Sequence, residues 1–166
     1  MKQTPQLEAI QRAMQPGAIT AEGFLGADPR PLGDILIADE AAVRRLGLSH
    51  ARIAGRMREL AAAGSRGLGL PTAVPPHFEV AVESVRGKLP CPFGHAGVYP
   101  KTNVVVRNLA SGRQIVFTDL NIHLIAAHGF YEGLGSPFRC DPATLAEILE
   151  IAPEPPEAPA AAAGAL

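Results

Sequence analysis

Cysteine is scarce in this 166-residue chain, with Cys91 and Cys140 as the two that occur. Two thiols are too few to staple a secreted disulfide scaffold, and in a reducing compartment they remain thiols or become metal ligands. Long apolar runs are missing too. No stretch approaches the roughly 18 apolar residues needed to span a bilayer, and the opening segment MKQTPQLEAIQRAMQPG lacks the apolar core of a signal peptide. A cytoplasmic protein that does not enter the membrane is expected. Neither sign of charge is in excess: 15 Lys+Arg face 16 Asp+Glu, for a net charge of -1, which argues against the strongly basic surface of a dedicated nucleic-acid coat. A nucleotide-binding glycine loop, a GxSxG elbow and an HExxH motif are all absent.

Glycine (17) and proline (16) are abundant by contrast, and their placement divides the chain. Residues 153–166, PEPPEAPAAAAGAL, hold no large apolar residue before Leu166 and cannot offset their ordering entropy, so a disordered tail is expected. Pro71, Pro75 and Pro76 in LPTAVPPH interrupt regular structure and mark a boundary between a helical half, residues 1–76, and a second half, residues 77–152. Four of the five histidines and both cysteines fall after that boundary.

The first half reads as helices. Leu7, Ile10 and Met14 share one face of a helix from Pro5 that ends at Pro16-Gly17, and a Gly/Pro-rich connection runs on to Gly33. Asp39 is placed to cap a short helix, Glu40 to Leu46; Gly47-Leu48-Ser49 then breaks the chain and caps a helix from His50 to Ala63, with Gly64 as terminator. The stretch LGLSHARIAGRMRELAAAG, Leu46 to Gly64, resembles the helix-turn-helix of winged-helix DNA-binding proteins. That resemblance implies a recognition helix with Ile53, Met57, Leu60 and Gly64 toward the core and Ser49, His50, Arg52 and Arg56 on a solvent face that enters a DNA major groove. Six arginines and one acid between Arg44 and Arg66 fit such a role. A plain packing helix needs the same apolar stripe.

The second half reads as strands followed by helices. FEVAVESVR, Phe78 to Arg86, alternates apolar and polar residues as a half-buried strand does; KLPCPFGHAGVYPK is a loop; and Asn103–Leu109 pairs with Arg113–Thr118 as a hairpin. Thr118-Asp119 caps a helix from Leu120 to His128 that is apolar nearly all round and must therefore be buried. A last helix, Pro142 to Ile151, is capped by Asp141. The fold class expected is α+β, with a helical N-terminal half and a C-terminal antiparallel sheet packed with helices.

The buried helix carries His123 and His128, and a buried imidazole needs a partner. Cys91 and His95, on the Gly/Pro turn CPFGH, complete a set of four soft ligands, Cys91, His95, His123 and His128, whose thiolate and imidazoles favour zinc. The order turn, hairpin, helix resembles the treble-clef zinc finger, which implies a knuckle and a helix supplying two ligands each. His123 and His128 lie about 140° apart on an ideal helix, so their convergence is expected to need unwinding at His128, which Gly129 permits.

These residues point to a small metal-binding protein with a regulatory or nucleic-acid-interacting role. The other reading is a small enzyme, either with an open zinc site served by His128 or Glu132 as base, or with Cys91 as a nucleophile activated by His95 or His123. A protein–protein adaptor is a third. The segment HGFYEGLGSPFR, His128 to Arg139, is either a tight connection or, through Tyr131, Glu132, Ser136 and Arg139, the lining of an anion or substrate pocket.

Overall fold

Residues 3–155 are described by the computed structural model. Their elements follow the order α1 (Pro5–Ala13), α2 (Leu32–Arg45), α3 (His50–Ser65), β1 (Thr72–Val74), β2 (Phe78–Pro90), β3 (Val98–Asn108), β4 (Gln114–Thr118), α4 (Asp119–His128) and α5 (Pro142–Ile148). The fold is α+β, with one antiparallel sheet in the order β1-β2-β3-β4. The Pro/Ala tail lies outside the described residues from residue 156 onward. No helix among the described residues is long and apolar enough to cross a membrane.

Side-chain caps set most helix starts. Thr4, Ser49 and Asp141 accept from the backbone N–H groups of Leu7, Arg52 and Thr144, and Pro5 and Pro142 stand just inside α1 and α5. Thr118 and Asn121 form a reciprocal capping box at α4, and Gly129 ends that helix in the left-handed conformation. One helix start differs from expectation. α2 begins at Leu32, so Asp39 lies inside it, where its carboxylate takes two 3.0 Å hydrogen bonds from Arg139. Asp39 is 5% exposed, and this bidentate pair outweighs the residue's preference for a cap.

Two hydrophobic clusters form the core. In the first, Ile53, Met57 and Leu60 of α3 pack on Val80, Val104, Val106 and Phe117 of the sheet and on Ile122, Ile125, Leu145 and Ile148. In the second, Met14, Phe24, Leu25, Leu32 and Ile35 surround Leu120, Leu124, Phe130 and Cys91. Helix α4 contributes to both, which is why it has no polar face. Each cluster draws residues from before and after residue 76, and the Pro-rich segment there turns a hairpin: β1 pairs antiparallel with β2, Thr72 facing Val80 and Val74 facing Phe78.

Both outer strands are short. β1 covers only Phe78–Val80 of β2, and β4 covers only Asn103–Arg107 of β3. Beyond them β2 and β3 continue as a two-stranded ribbon through the pairs Ser84–Thr102, Lys88–Pro100 and Pro90–Val98, with an irregularity between Val85 and Lys88. Pro90 and Pro100 sit in this ribbon, where a missing N–H removes no bond to a further strand. The expected loop of residues 88–101 is therefore strand over 88–90 and 98–101, with only 91–97 left as the turn.

Gly64 does not terminate α3 but lies within it, and a Cβ there would stand 2.4 Å from Val80 Cγ1. Gly55, exposed on the same helix, would meet nothing within 4 Å. Gly64→Ala is expected to lower stability by about 1–3 kcal/mol through overpacking, whereas Gly55→Ala is expected to raise it by about 0.5–1 kcal/mol through helix propensity alone. Urea unfolding of the two variants beside the wild type checks both signs.

Candidate metal centre

A two-stranded ribbon is marginal by itself, and this one is held at its tip. After Pro90 the chain turns through Cys91–Gly97, with Gly94 N–H donating to Cys91 O at 3.0 Å and Gly94 at φ +86°, a conformation that glycine tolerates without strain. The turn lays Cys91 into the second core cluster, 4% exposed, against α4. There the thiol meets the two histidines of the helix. One ligand atom each from Cys91, His123 and His128 can be chosen so that all lie within 4.8 Å of one another, a group able to hold a metal ion.

The sulfur-to-nitrogen separation between Cys91 and His128 suits a tetrahedral ion. Cys91 Sγ and His128 Nε2 are 3.5 Å apart. A tetrahedral zinc with bonds of about 2.3 Å to sulfur and about 2.0–2.1 Å to nitrogen sets those atoms about 3.5 Å apart. His123 is oriented by Tyr99, whose hydroxyl lies 2.9 Å from Nδ1. Its other nitrogen, Nε2, is buried with no hydrogen-bond partner among the described residues. With Nδ1–H donating to the Tyr99 oxygen, the Nε2 lone pair is free for a metal. Phe93 stacks on His128 at 4.0 Å between ring centroids and an interplanar angle of 5°, fixing that ring as well. α4 stays helical through His128, so both histidines come within reach of Cys91 without unwinding.

His95 is exposed, with its ring centroid 4.4 Å from that of His128 and 5.3 Å from that of His123. It stands outside the close group of three. Burial lowers the pKa of His123, and it lowers that of His128 to about 4; neighbouring positive charge, His95 first, adds to both effects. Both imidazoles are consequently neutral at pH 7, the form that binds metals.

The face of α3 assigned to DNA is not a bare solvent face. Arg52 Nε donates to Ala152 O at 2.6 Å, Arg56 Nε donates to Leu149 O at 3.0 Å, and Ser49 Oγ meets the Glu154 carboxylate. Arg56 also pairs with Glu59 and lies 5.1 Å over the Phe78 ring. His50 bonds Glu40 through Nε2 (2.5 Å) and the Tyr131 hydroxyl through Nδ1 (2.8 Å). The segment after α5 thus covers the arginine pair, a long-range contact that helix periodicity cannot reveal.

The loop after α4 is mostly a tight connection. Gly133 N–H donates to Phe24 O, Leu134 N–H donates to Asp28, and Arg139 is fixed on Asp39 and on Glu132 O. Glu132 is the exception. It is 3% exposed at φ +68°, and burial pushes its carboxyl up to about 7 against hydrogen bonds from Asn121 Nδ2 (2.6 Å) and Ser136 Oγ (2.9 Å). Tyr99, Phe93 and Asn121 escaped sequence reasoning. Tyr99 reaches His123 only through the β2–β3 register, whereas Asn121 carries a readable signal as the third residue after the cap Thr118.

No protein-family model, curated protein or solved structure matches the chain.

For a carboxyl raised by burial, folding stability is full below its ordinary pKa of 4.5 and is lost as pH rises toward about 7, because the unfolded chain releases the proton first. The expected fall in wild-type stability from this group is about 3 kcal/mol. Glu132→Gln can keep both hydrogen bonds and is expected to flatten that part of the profile. Urea midpoints at intervals from about pH 4 to about pH 8 check it.

Proposed function

We propose that this chain is a zinc-binding protein with a regulatory role, in which the metal clasps the tip of the β2–β3 ribbon onto α4. The observation that carries the reading is the convergence of Cys91, His123 and His128, with His123 Nε2 buried and unpartnered among the described residues. An unsatisfied buried group costs on the order of 1–3 kcal/mol, and a bound cation would remove that penalty. Mixed thiolate and imidazole ligation favours zinc over the hard cations.

His95 is the fourth ligand in this reading. Its exposure makes that position the exchangeable one, so zinc occupancy sets whether the turn from Cys91 to Gly97 is fastened or loose, and this is the regulatory element. The exposure also favours a second reading, in which water holds the fourth position and the ion is a catalytic Lewis acid. X-ray absorption on zinc-loaded protein separates the two: one sulfur and three nitrogens support the structural clasp, and one sulfur, two nitrogens and one oxygen support the open site.

Protein purified without chelator or affinity tag is expected to carry about one zinc per chain. With free zinc about a hundredfold above Kd, binding adds about 2.7 kcal/mol of stability, so chelation is expected to lower Tm by roughly 5–10 °C. An unchanged Tm on chelation and re-addition would sink the proposal. Cys91→Ser and His123→Ala should abolish the stabilisation, while His95→Ala should only weaken it. Tyr99→Phe removes the oxygen that orients His123 and is expected to weaken zinc binding by roughly 10–100-fold, read by competition with a fluorescent chelator.

A further inference from the structure

A cavity of about 380 Å³ opens between the loop before α2, the β2–β3 ribbon and the start of α4, and none of the four candidate zinc ligands lines it. Its size falls within the range of small-molecule sites, about 300–1,000 Å³. Phe24, Leu89, Leu120 and Phe138 give it apolar walls, and Glu132 stands among the lining residues with Asn121. We propose that this cavity binds a small apolar molecule carrying one protonated amine, with the Glu132 carboxylate as its counter-ion.

Glu132 carries the argument. It is 3% exposed, and no cation lies within ion-pair distance of its carboxyl among the described residues. Arg139 is spent elsewhere, on the carboxylates of Asp39 and Asp141 and on the backbone carbonyl of Glu132 itself. Buried acids are nearly always paired; here an ammonium from the ligand supplies the missing partner. The backbone points the same way. Glu132 holds φ +68°, a left-handed conformation that L side chains rarely adopt, and of the three such non-glycine residues, with Leu68 and Glu150, it is the one that lines the cavity. Asn121 and Ser136 bond one carboxyl oxygen each, 2.6 and 2.9 Å, fixing its orientation while leaving lone pairs for a further donor. The two other charged lining residues, Glu22 and Lys101, are both exposed and of opposite sign, so Glu132 is the buried charge that selects the ligand.

The test titrates the full-length, zinc-loaded protein calorimetrically at about pH 8 with three probes of like size: phenethylamine, phenethyl alcohol and hydrocinnamate. A charge-assisted hydrogen bond to a buried carboxylate predicts that the amine binds at least about tenfold tighter than either comparison. Glu132→Gln should remove that preference while zinc content and the circular dichroism spectrum stay as in the wild type. Should Glu132→Gln fail to fold, Ala21→Trp decides the matter: Ala21 is an exposed lining residue, and an indole there should fill the cavity and abolish amine binding. Equal affinity for the three probes, preference for hydrocinnamate, no binding at all, or amine binding that survives either folded variant would overturn the proposal.

Discussion

Helix α4 is apolar nearly all round and, Ala127 apart, has no exposed residue, and the rest of the molecule is arranged around the need to bury it. Ile122 and Ile125 enter the cluster built on α3 and the sheet, while Leu120 and Leu124 enter the cluster built on the N-terminal segments. Each of these side chains is worth roughly 1.5–3 kcal/mol of transfer free energy, which is collected only if both clusters close on the same ten-residue helix. The N-terminal segments, the sheet and the last helix are therefore held in one unit by a helix that belongs to none of them alone.

Polar groups on such a helix have few places to go, and the structure spends each one specifically. Asn121 completes the cap and holds Glu132; His123 and His128 face the thiol of Cys91. Placing the two imidazoles beside an apolar core keeps them uncharged and poorly hydrated, the form in which an imidazole nitrogen binds a metal ion. The ribbon tip gains most from this arrangement. Its pairing is not extended by a third strand beyond Ser84 and Thr102, so its contacts with α4 must hold it.

Elements set by local chemistry were readable in the sequence. Thr118 and Gly129 delimit α4, Asp141 and Pro142 start α5, and the stripe Ile53, Met57, Leu60 and Gly64 is the buried face of α3. The errors arose where a distant partner overrode a local preference. Asp39 looks like a cap because its partner Arg139 is 100 residues away; prolines 90 and 100 look like loop residues because sheet position, which excuses them, is a global property. At the site, Cys91, His123 and His128 could be grouped from composition and clustering as residues able to hold a metal. The proximity of Cys91 to both histidines depends on how the ribbon lays its tip on α4, and the lack of an ion pair at the Glu132 carboxyl depends on Arg139 pairing with Asp39 and Asp141 instead.

The closing of the segment after α5 over α3 gives the fold a temporal order. Arg52 and its acceptor Ala152 O are separated by 100 residues. At about 5–20 residues per second of synthesis, roughly 5–20 s pass between the making of the helix and the making of its cover. In that interval the guanidinium groups of Arg52 and Arg56 lack the Ala152 and Leu149 carbonyls that hold them in the folded chain. The nascent chain therefore presents a different surface to its surroundings from the finished protein, and the difference ends only when the last helix and the residues after it have been made.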